Sequence, residues 1–307
     1  MNEQELKKLK LLSANIRLDT LKCIKKCGYG HLGGSLSIVE LLSVLYGKQL
    51  RYDAKNPQWE GRDFVILSKG HAGPGLYSAL ANVGFFSKDW LLTLNEGGTK
   101  LPSHLDRTKT PGVDMTAGSL GQGTSAAAGV AIGLKLKKAE IAGQARNDDT
   151  EKIAGHARND DTIGQLVYVV VGDGELNEGQ CWEAFQFIAH NKLNNCIVFI
   201  DENKKQLDGW TKDVINPFDI EKKMQAFGFF TQKVKANDEI AIDNAIEKCK
   251  SIKDSAVCII LDSIKGQGIK YFEDMIDNHS VKFNTPENLK AADEAIEELE
   301  SIINRYN

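Results

Sequence analysis

Apolar residues recur along this chain in two spacings, one typical of buried strands and one of amphipathic helices. Continuous β-branched runs at Leu166–Val171 and Cys196–Ile200 predict parallel strands buried on both faces. The helical face between them is apolar and consists of Cys181, Trp182, Phe185, Ile188 and Ala189. This stretch predicts a strand–helix–strand unit whose helix is capped by Asn177, with Gln180 as the reciprocal partner.

The same spacings predict strands alternating with helices along the rest of the chain. The further strands are Phe64–Leu67, Phe230–Val234 and Val257–Ile264. The further helices are 3–27, Ser37 to about Gly47, an alanine-rich helix from 118–124 to about Lys138, Glu221–Phe227, Glu239–Ile252 and Pro286–Ile303. Alternation of this kind predicts an α/β fold, a doubly wound and mostly parallel sheet with helices on both faces. We predict one domain over 1–285 and a helical tail over 286–307.

A tandem duplication interrupts this pattern. IAGQARNDDT at 141–150 recurs as IAGHARNDDT at 153–162, between the alanine-rich helix and the central strand. Two copies are too few for a stacked repeat architecture. The polar sequence of 141–162 predicts a surface insertion.

Composition excludes several classes of protein. The chain has 307 residues, is 42% hydrophobic and carries a formal net charge of −4, so it offers no electrostatic case for binding nucleic acid or an anionic membrane. No apolar run approaches the ~20 residues that cross a bilayer, and the amino terminus lacks the apolar core of a signal peptide. Six scattered cysteines without CxxC pairs predict reduced thiols in a cytoplasmic protein.

Polar residues follow the two central strands where each strand ends. Gly172-Asp173-Gly174 follows the first strand, and Asn203 follows the second. Because the carboxyl ends of parallel strands share one sheet edge, where such sheets bind ligands, these residues are expected to lie close together. Carboxylate and amide oxygens suit Mg²⁺, and a backbone carbonyl after Asn203 is a candidate third ligand. The alternatives are a metal–diphosphate site and a plain strand–helix–strand unit with a polar turn.

Three other polar, glycine-rich segments are candidates for the same edge. His31 lies among four glycines in 28–34, Lys69 and His71 follow the strand Phe64–Leu67, and 118–124 opens the alanine-rich helix. A helix amino end presents free N–H groups and suits an anion. Taken singly, each segment is as typical of a loop or of close helix packing as of a ligand site.

Five separated segments together resemble one enzyme family. They read GHLGGSLS, SKGHAGPGLY, SHLDRTKTPGVDMTAGSLGQG, GDGELNEGQCWEA and DENKKQLDG. Their order and spacing resemble the amino-terminal part of transketolases over roughly 10–280, apart from the duplicated insertion. The chain resembles the amino-terminal, thiamine-diphosphate-binding subunit of a transketolase split into two chains.

The resemblance implies thiamine diphosphate and Mg²⁺ as cofactors and assigns residues to them. The implied cofactor-binding residues are backbone donors, a ring nitrogen and the side chains that bind the metal: Gly118, Leu120, Gly172, Gly174, His71, Asp173 and Asn203. Lys205 completes the implied Mg²⁺ ligands through its backbone carbonyl.

The resemblance also implies the residues that carry the reaction. His31, His71 and His104 are the implied catalytic histidines, with His31 and His104 facing the oxygens of the substrate. Glu178 is placed in a carboxylate network at the subunit boundary. His279 is a weaker match to a substrate-binding histidine, because a serine follows it where the family usually has glycine.

The implied activity is the transfer of a two-carbon ketol unit from a ketose phosphate to an aldose phosphate, through a carbanion held on the cofactor. The carboxyl-terminal half of the family supplies a glutamate that activates the cofactor, and the site for the sugar phosphate. We therefore expect a carboxyl-terminal partner subunit, an α2β2 heterotetramer and no activity of this chain alone.

Other classes of function compete with this interpretation. A 2-oxo acid dehydrogenase component lacks the three histidines, and a deoxyxylulose-phosphate synthase is normally one longer chain. A transketolase-like enzyme of a specialised sugar pathway is harder to distinguish from a transketolase by sequence. A non-catalytic scaffolding paralogue is disfavoured because Asp173, Asn203 and the histidines are all present. An NAD-binding Rossmann protein would carry G-x-G-x-x-G after an early strand, and this chain does not.

Overall fold

A five-stranded parallel sheet forms the centre of the computed structural model, which describes residues 1–147 and 164–306. Its strands in chain order are β1 (Phe64–Leu67), β2 (Val167–Gly172), β3 (Cys196–Glu202), β4 (Phe229–Lys235) and β5 (Ala256–Asp262). Their order across the sheet is β1-β2-β3-β5-β4, with every neighbouring pair parallel. The predicted doubly wound parallel sheet is confirmed.

Helices cover both faces of this sheet. They are α1 (Glu3–Cys27), α2 (Leu32–Leu36), α3 (Val39–Val44), α4 (Gly73–Asn82), α5 (Gln122–Asn147), α6 (Gly179–His190), α7 (Thr211–Val214), α8 (Ile220–Ala226), α9 (Glu239–Ser251), α10 (Lys270–Asp274) and α11 (Pro286–Tyr306). Helices α5, α6 and α8 pack on one face, and α1, α4 and α9 pack on the other. None of the described helices is long and apolar enough to cross a membrane.

The continuous apolar runs arise because each central strand packs on helices above and below. Along β2, Tyr168 and Val170 join the core beneath α1 and α4, whereas Val167 and Val169 join the core beneath α5 and α6. All six residues of β2 are buried. With both faces covered, the alternation of polar and apolar residues seen in half-exposed strands disappears.

The structure contradicts the predicted cap of α6. The helix begins at Gly179 with Glu178 at its cap, and Glu178 makes no side-chain hydrogen bond there. Asn177 instead lies in a short 3₁₀ turn, Gly174–Asn177, and its amide donates to Gln206 Oε1 at 3.2 Å. The extra turn after β2 shifts the start of the helix past the residue with the best capping side chain.

Two other helix boundaries differ from prediction. The helix expected from Ser37 to about Gly47 begins at Val39 as α3 and continues after Val44 as a π-helical turn, Leu45–Gln49. The short helix α2 ends before it at Leu36, and the Ser37 hydroxyl between α2 and α3 donates to Asp201 Oδ2 at 2.7 Å. A side chain that bonds outside its own helix competes with helical continuity. Helix α5 runs to Asn147 and does not stop near Lys138. The remainder of the duplicated segment, and with it the predicted insertion, lies outside the described residues.

The carboxyl-terminal helix α11 packs along α1. Ala292 and Ala295 are buried against it, and Lys22 pairs with Glu300 at 2.6 Å while Lys25 pairs with Asp293. The surface ion pairs contribute little, so apolar burial supplies most of this contact.

Two buried tyrosines of the core differ in one hydrogen bond. The hydroxyl of Tyr168 has no hydrogen-bond partner among the described residues, whereas that of Tyr77 donates to the carbonyl of Pro102 at 2.9 Å. We predict that Tyr168→Phe raises the free energy of unfolding by about 1 kcal/mol and that Tyr77→Phe lowers it by about 1 kcal/mol. Urea unfolding of the two variants checks this, and equal destabilisation by both would contradict it.

Candidate active site

Polar segments from four strand ends meet at the carboxyl edge of the sheet. The segment 68–71 follows β1, Asp173 follows β2, Asn203 follows β3 and Ser263 follows β5. The backbone N–H of Asp173 donates to the carbonyl of Asp201 at 3.1 Å, which joins the first two central strands at this point. The predicted meeting of Asp173, Asn203 and the segment with Lys69 and His71 at one edge is the observed geometry, and Ser263 is an addition to it.

A buried ion pair lies beneath this edge. Lys69 and Asp201 are 1% and 0% exposed, and the Lys69 ammonium donates to Asp201 Oδ2. Asp201 also accepts from the hydroxyls of Ser37 and Ser263 and, at 2.8 Å, from the Asn203 amide. Burial alone would raise the pKa of Asp201, but the charge and hydrogen bond of Lys69 outweigh it and lower that pKa below its ordinary value.

Asp173 is a buried carboxylate that no cation among the described residues contacts in this way. Burial and the negative charge of Asp201 raise its pKa to about 7, against the opposing effect of N–H donors at Lys204 and Gly174. These donors lie 2.6 and 2.8 Å from the carboxylate oxygens. A carboxylate that is costly to ionise at neutral pH is a favourable place for a cation.

A second buried lysine lies beside the backbone of Lys205. The Lys265 ammonium donates to the Lys205 carbonyl and to His279 Nδ1, both at 3.0 Å. Burial and the charge of Lys69 lower the pKa of Lys265 to about 8. The Lys205 side chain is turned elsewhere and donates to the carbonyls of Glu273 and Met275 at 3.1 and 2.8 Å. The backbone of Lys205, and not its side chain, therefore faces the site, and its N–H donates to Asn203 Oδ1 at 3.2 Å.

The structure brings all four predicted histidines together. His31 precedes α2, His71 lies in the 3₁₀ turn after β1, His104 lies in a loop and His279 follows α10. The ring centroid of His31 lies 5.5 Å from His71, 5.4 Å from His104 and 5.2 Å from His279. Gly34 permits this, because a Cβ there would come within 3.0 Å of His71 Nε2.

All four imidazoles are neutral at pH 7. Burial, His104 and Lys265 lower the pKa of His31 to about 4, and burial with Lys265 and His31 lowers the pKa of His279 to about 3. Burial and Lys69 hold the pKa of His71 well below its ordinary value, and burial lowers that of His104. A neutral imidazole both donates and accepts one hydrogen bond, and Nδ1 of His31 is buried with no partner among the described residues.

The turn before α5 packs directly against the segment after β1. A Cβ on Gly70 would lie 2.6 Å from the carbonyl oxygen of Ala117, so the two backbones touch. Gly118 is exposed and a Cβ there would meet nothing within 4 Å, while the Leu120 carbonyl accepts from Gln180 Nε2 at 3.0 Å. The exposed backbone around Gly118 is thus free to meet a ligand.

The remaining predicted residues, Gly174 and Glu178, lie outside the histidine cluster and the buried ion pair. Gly174 packs closely on Gln206, because a Cβ there would come within 2.8 Å of Gln206 Cβ. Glu178 is exposed at the start of α6, outside the buried network of Asp201.

Sequence reasoning missed three buried charged residues, Asp201, Lys265 and Glu175, and it named Lys69 as a candidate for this edge without its ion-pair partner. Lys69 and Lys265 lie in segments that the sequence places at strand ends, but no local pattern gives either a role. The partner of Lys69 lies 132 residues away along the chain, so no local spacing pairs them. The available signal was a lysine or acid placed directly after a fully apolar strand.

The predicted Mg²⁺ ligands are mostly uncharged oxygen donors, and they do not form a cluster of His, Cys, Asp or Glu side chains. In residues 1–147 and 164–306, no group of three or more His, Cys, Asp or Glu is arranged to hold a metal ion. The predicted set has one carboxylate, Asp173, one amide, Asn203, and one carbonyl, that of Lys205. These are hard oxygen donors, and few protein ligands are usual for Mg²⁺. The raised pKa of Asp173 also fits a cation there.

Comparison with known proteins identifies the family. The model for the thiamine diphosphate binding domain of transketolase matches residues 9–295, so this chain belongs to the transketolase family. It is 41% identical to the 6-deoxy-6-sulfo-D-fructose transketolase subunit SqwG of Clostridium sp. (strain MSTE9), covering 90% of this chain and 92% of that one. It is 36% identical to an apulose-4-phosphate transketolase subunit of Actinobacillus succinogenes, covering 80% and 79%.

Larger transketolases match over part of their length. The transketolase of Treponema pallidum is 32% identical over 85% of this chain, which spans 37% of that protein. The solved transketolase of Leishmania mexicana superposes with a TM-score of 0.75 at 25% identity, covering 100% of this chain and 46% of that one. The similarity to relatives called subunits indicates the amino-terminal subunit of a split transketolase, as predicted.

The buried Asp173 carboxylate generates a prediction for the chain without ligands. A folded-state pKa of about 7, above the unfolded value, means that ionisation weakens the fold as pH rises toward and through 7. In Asp173→Asn the NH₂ group opposes one of two backbone N–H donors, so the pH-dependent part of the change is the informative one. The free energy of unfolding of the variant relative to the unaltered chain should rise by about 2–3 kcal/mol from pH 5 to pH 8. Urea unfolding at the two pH values measures this. A gain independent of pH would contradict it, and Asp53→Asn, an exposed loop change, is the control.

Proposed function

We propose that this chain is the amino-terminal subunit of a two-subunit transketolase that moves a two-carbon ketol unit from a ketose phosphate to an aldose phosphate. The observation that supports this most directly is the cluster of four neutral imidazoles beside the Asp173–Asn203 edge. Hydroxyl-rich sugars need neutral donors and acceptors, and a metal–diphosphate needs oxygen ligands and positive charge. This edge offers both.

The proposed cofactors are thiamine diphosphate and Mg²⁺. Asp173 and Asn203 would bind the metal by side chain and Lys205 by its carbonyl, and the N–H of Gly174 and the ring of His71 would bind the diphosphate. When bound, the cofactor supplies an electron sink for breaking and forming bonds between carbon atoms.

Further residues would hold the two ends of the cofactor. The backbone of Gly118 and Leu120 would contact the aminopyrimidine, and Gly172 would let the diphosphate approach. The buried ammonium of Lys265 supplies positive charge at the diphosphate end.

The histidines would bind the substrate and move its protons. His31 and His104 would accept hydrogen bonds from substrate hydroxyls, and His279 lies close enough to His31 to share this role. The pKa values of His31 and His279 are low because both rings are buried near lysines. An anionic diphosphate beside them would raise these pKa values toward neutrality, where a base acts best at physiological pH.

The complete enzyme would need a carboxyl-terminal partner subunit, assembled as an α2β2 heterotetramer. Glu178, exposed at the start of α6, would lie at the boundary between subunits. The partner would carry the glutamate that activates the cofactor and the binding site for the sugar phosphate. We keep 1–285 as the cofactor-binding domain and 286–307 as its tail, and the six free thiols fit a cytoplasmic location.

A sugar outside the pentose phosphate pathway is the second candidate for the substrate. The similarity to a 6-deoxy-6-sulfo-D-fructose transketolase subunit, at 41% identity along nearly its whole length, favours this. The reaction class is the same in both cases, and the difference lies in the sugar.

Cofactor binding tests the proposed assembly. We expect thiamine diphosphate with Mg²⁺ to bind tightly, and ketol transfer to occur, only when this chain is mixed with its partner subunit, because the proposed site would lie between the two. Asp173→Ala should abolish metal-dependent binding and turnover, since it removes a metal ligand, while Asp53→Ala should change neither. Calorimetry and an aldose-release assay measure both quantities. Turnover by this chain alone, or undiminished binding by Asp173→Ala, would contradict the proposal.

A panel of donors tests the substrate. With the partner present, we offer xylulose 5-phosphate, 6-deoxy-6-sulfo-D-fructose and apulose 4-phosphate in turn, with ribose 5-phosphate or glyceraldehyde 3-phosphate as acceptor. We expect kcat/KM for one donor to exceed the others at least tenfold, which corresponds to about 1.4 kcal/mol of differential transition-state binding. Cofactor binding without transfer from any of the three would remove all three sugars as substrates.

A further inference from the structure

Glu175 is a buried carboxylate that hydrogen-bonds to three separate segments of the site. It lies two residues after Asp173 and is 2% exposed. Its Oε1 accepts from the N–H of Gly121 at 2.7 Å and from the hydroxyl of Ser68 at 2.5 Å. Its Oε2 accepts from the N–H of Gly172 at 3.0 Å. One side chain thus joins the end of β1, the turn before α5 and the turn after β2.

The carboxylate is unusual because it is not balanced by a contacting cation. No ion pair in the described part of the chain includes Glu175, although Lys69 lies near enough to act on it through its charge. Burying a charge in this way is unfavourable unless hydrogen bonds compensate, and bonds from N–H and O–H groups to an ionised carboxylate are strong. Burial raises the pKa of Glu175, and the three bonds and the charge of Lys69 oppose that rise.

The turn before α5 depends on Glu175 for its position more than the turn after β2 does. The turn after β2 is held independently, because Asp173 bonds to the backbone of Asp201, Gly174 and Lys204. A second contact holds the turn before α5: the Gln180 amide donates to the Leu120 carbonyl at 3.0 Å. Gly121 has a φ of +83°, and a Cβ there would lie 2.7 Å from Gln180 Cγ.

We propose that Glu175 is a positioning residue that fixes the turn at 118–121 relative to the turn at 172–174, so that one thiamine diphosphate molecule reaches both. Its carboxylate sets the distance between the backbone proposed to contact the aminopyrimidine and the backbone proposed to contact the diphosphate. This inference rests on the proposed function and gives a role in the site to a residue that the proposed function leaves without one.

Two ligands of different length separate positioning from general support. Thiamine diphosphate spans both turns, whereas inorganic pyrophosphate reaches only the diphosphate end. In Glu175→Gln, the amide can no longer accept from all three donors, and its NH₂ group opposes an N–H or O–H donor. In the assembled complex with Mg²⁺, we expect the Kd of thiamine diphosphate to rise at least tenfold and that of pyrophosphate to change less than twofold.

Two further variants keep this test decisive. Glu239→Gln makes the same chemical change at a buried carboxylate that bonds Ser13 and Lys10, and it should leave both Kd values unchanged. Gln180→Ala removes the second contact to the same turn and leaves the carboxylate in place. It should weaken thiamine diphosphate selectively, as Glu175→Gln does, and it serves if Glu175→Gln does not fold.

The outcomes are distinct. Selective loss of thiamine diphosphate binding supports the positioning role. Equal loss of both ligands, or no loss of either, overturns it. Failure of the unaltered complex to bind thiamine diphosphate would instead overturn the proposed function, and that result is read from the wild type alone.

Discussion

The site depends on one fully buried ion pair, Lys69 with Asp201. A buried pair of this kind is a weak source of stability, because removing two charges from water offsets much of their attraction. The main effect of this ion pair is to position the strand ends around it. Asp201 accepts from Lys69 after β1, from Ser263 after β5 and from the Asn203 amide after β3, so it holds three strand ends together.

The Asp201 carboxylate and the two buried lysines also influence which neighbouring side chains are charged. Burial disfavours the ionised form of Asp173, and the charge of Asp201 adds to this effect, so the residue is receptive to a cation. On the other side, Lys69 and Lys265 disfavour protonation of the neighbouring histidines. The edge therefore has two regions a few side chains apart. The region around Asp173 favours a cation, and the region around Lys69 and Lys265 combines positive charge with neutral imidazole rings.

The fold was largely accessible from the sequence, because strands buried on both faces leave continuous apolar runs and each run ended in glycine or polar residues. The same reasoning placed Asp173 and Asn203 at one edge. It could not find Lys69 with Asp201, or Glu175 with Gly121, because those partners are brought together only by the order of strands in the sheet. It misplaced the cap of α6, since a 3₁₀ turn after β2 follows no simple spacing. The proximity of His279 to the other histidines came from family resemblance, not from any local pattern.

The neutrality of the four imidazoles has a consequence for the salt dependence of binding. Hydrogen bonds between uncharged rings and uncharged hydroxyls are little affected by dissolved ions, whereas attraction of an anion toward lysines over distance is screened within about 10 Å at 0.1 M ionic strength. Ionic strength would thus alter how quickly an anionic ligand arrives at this edge. It would leave nearly unchanged the hydrogen bonds that we propose His31 and His104 make to the hydroxyls of a sugar already bound.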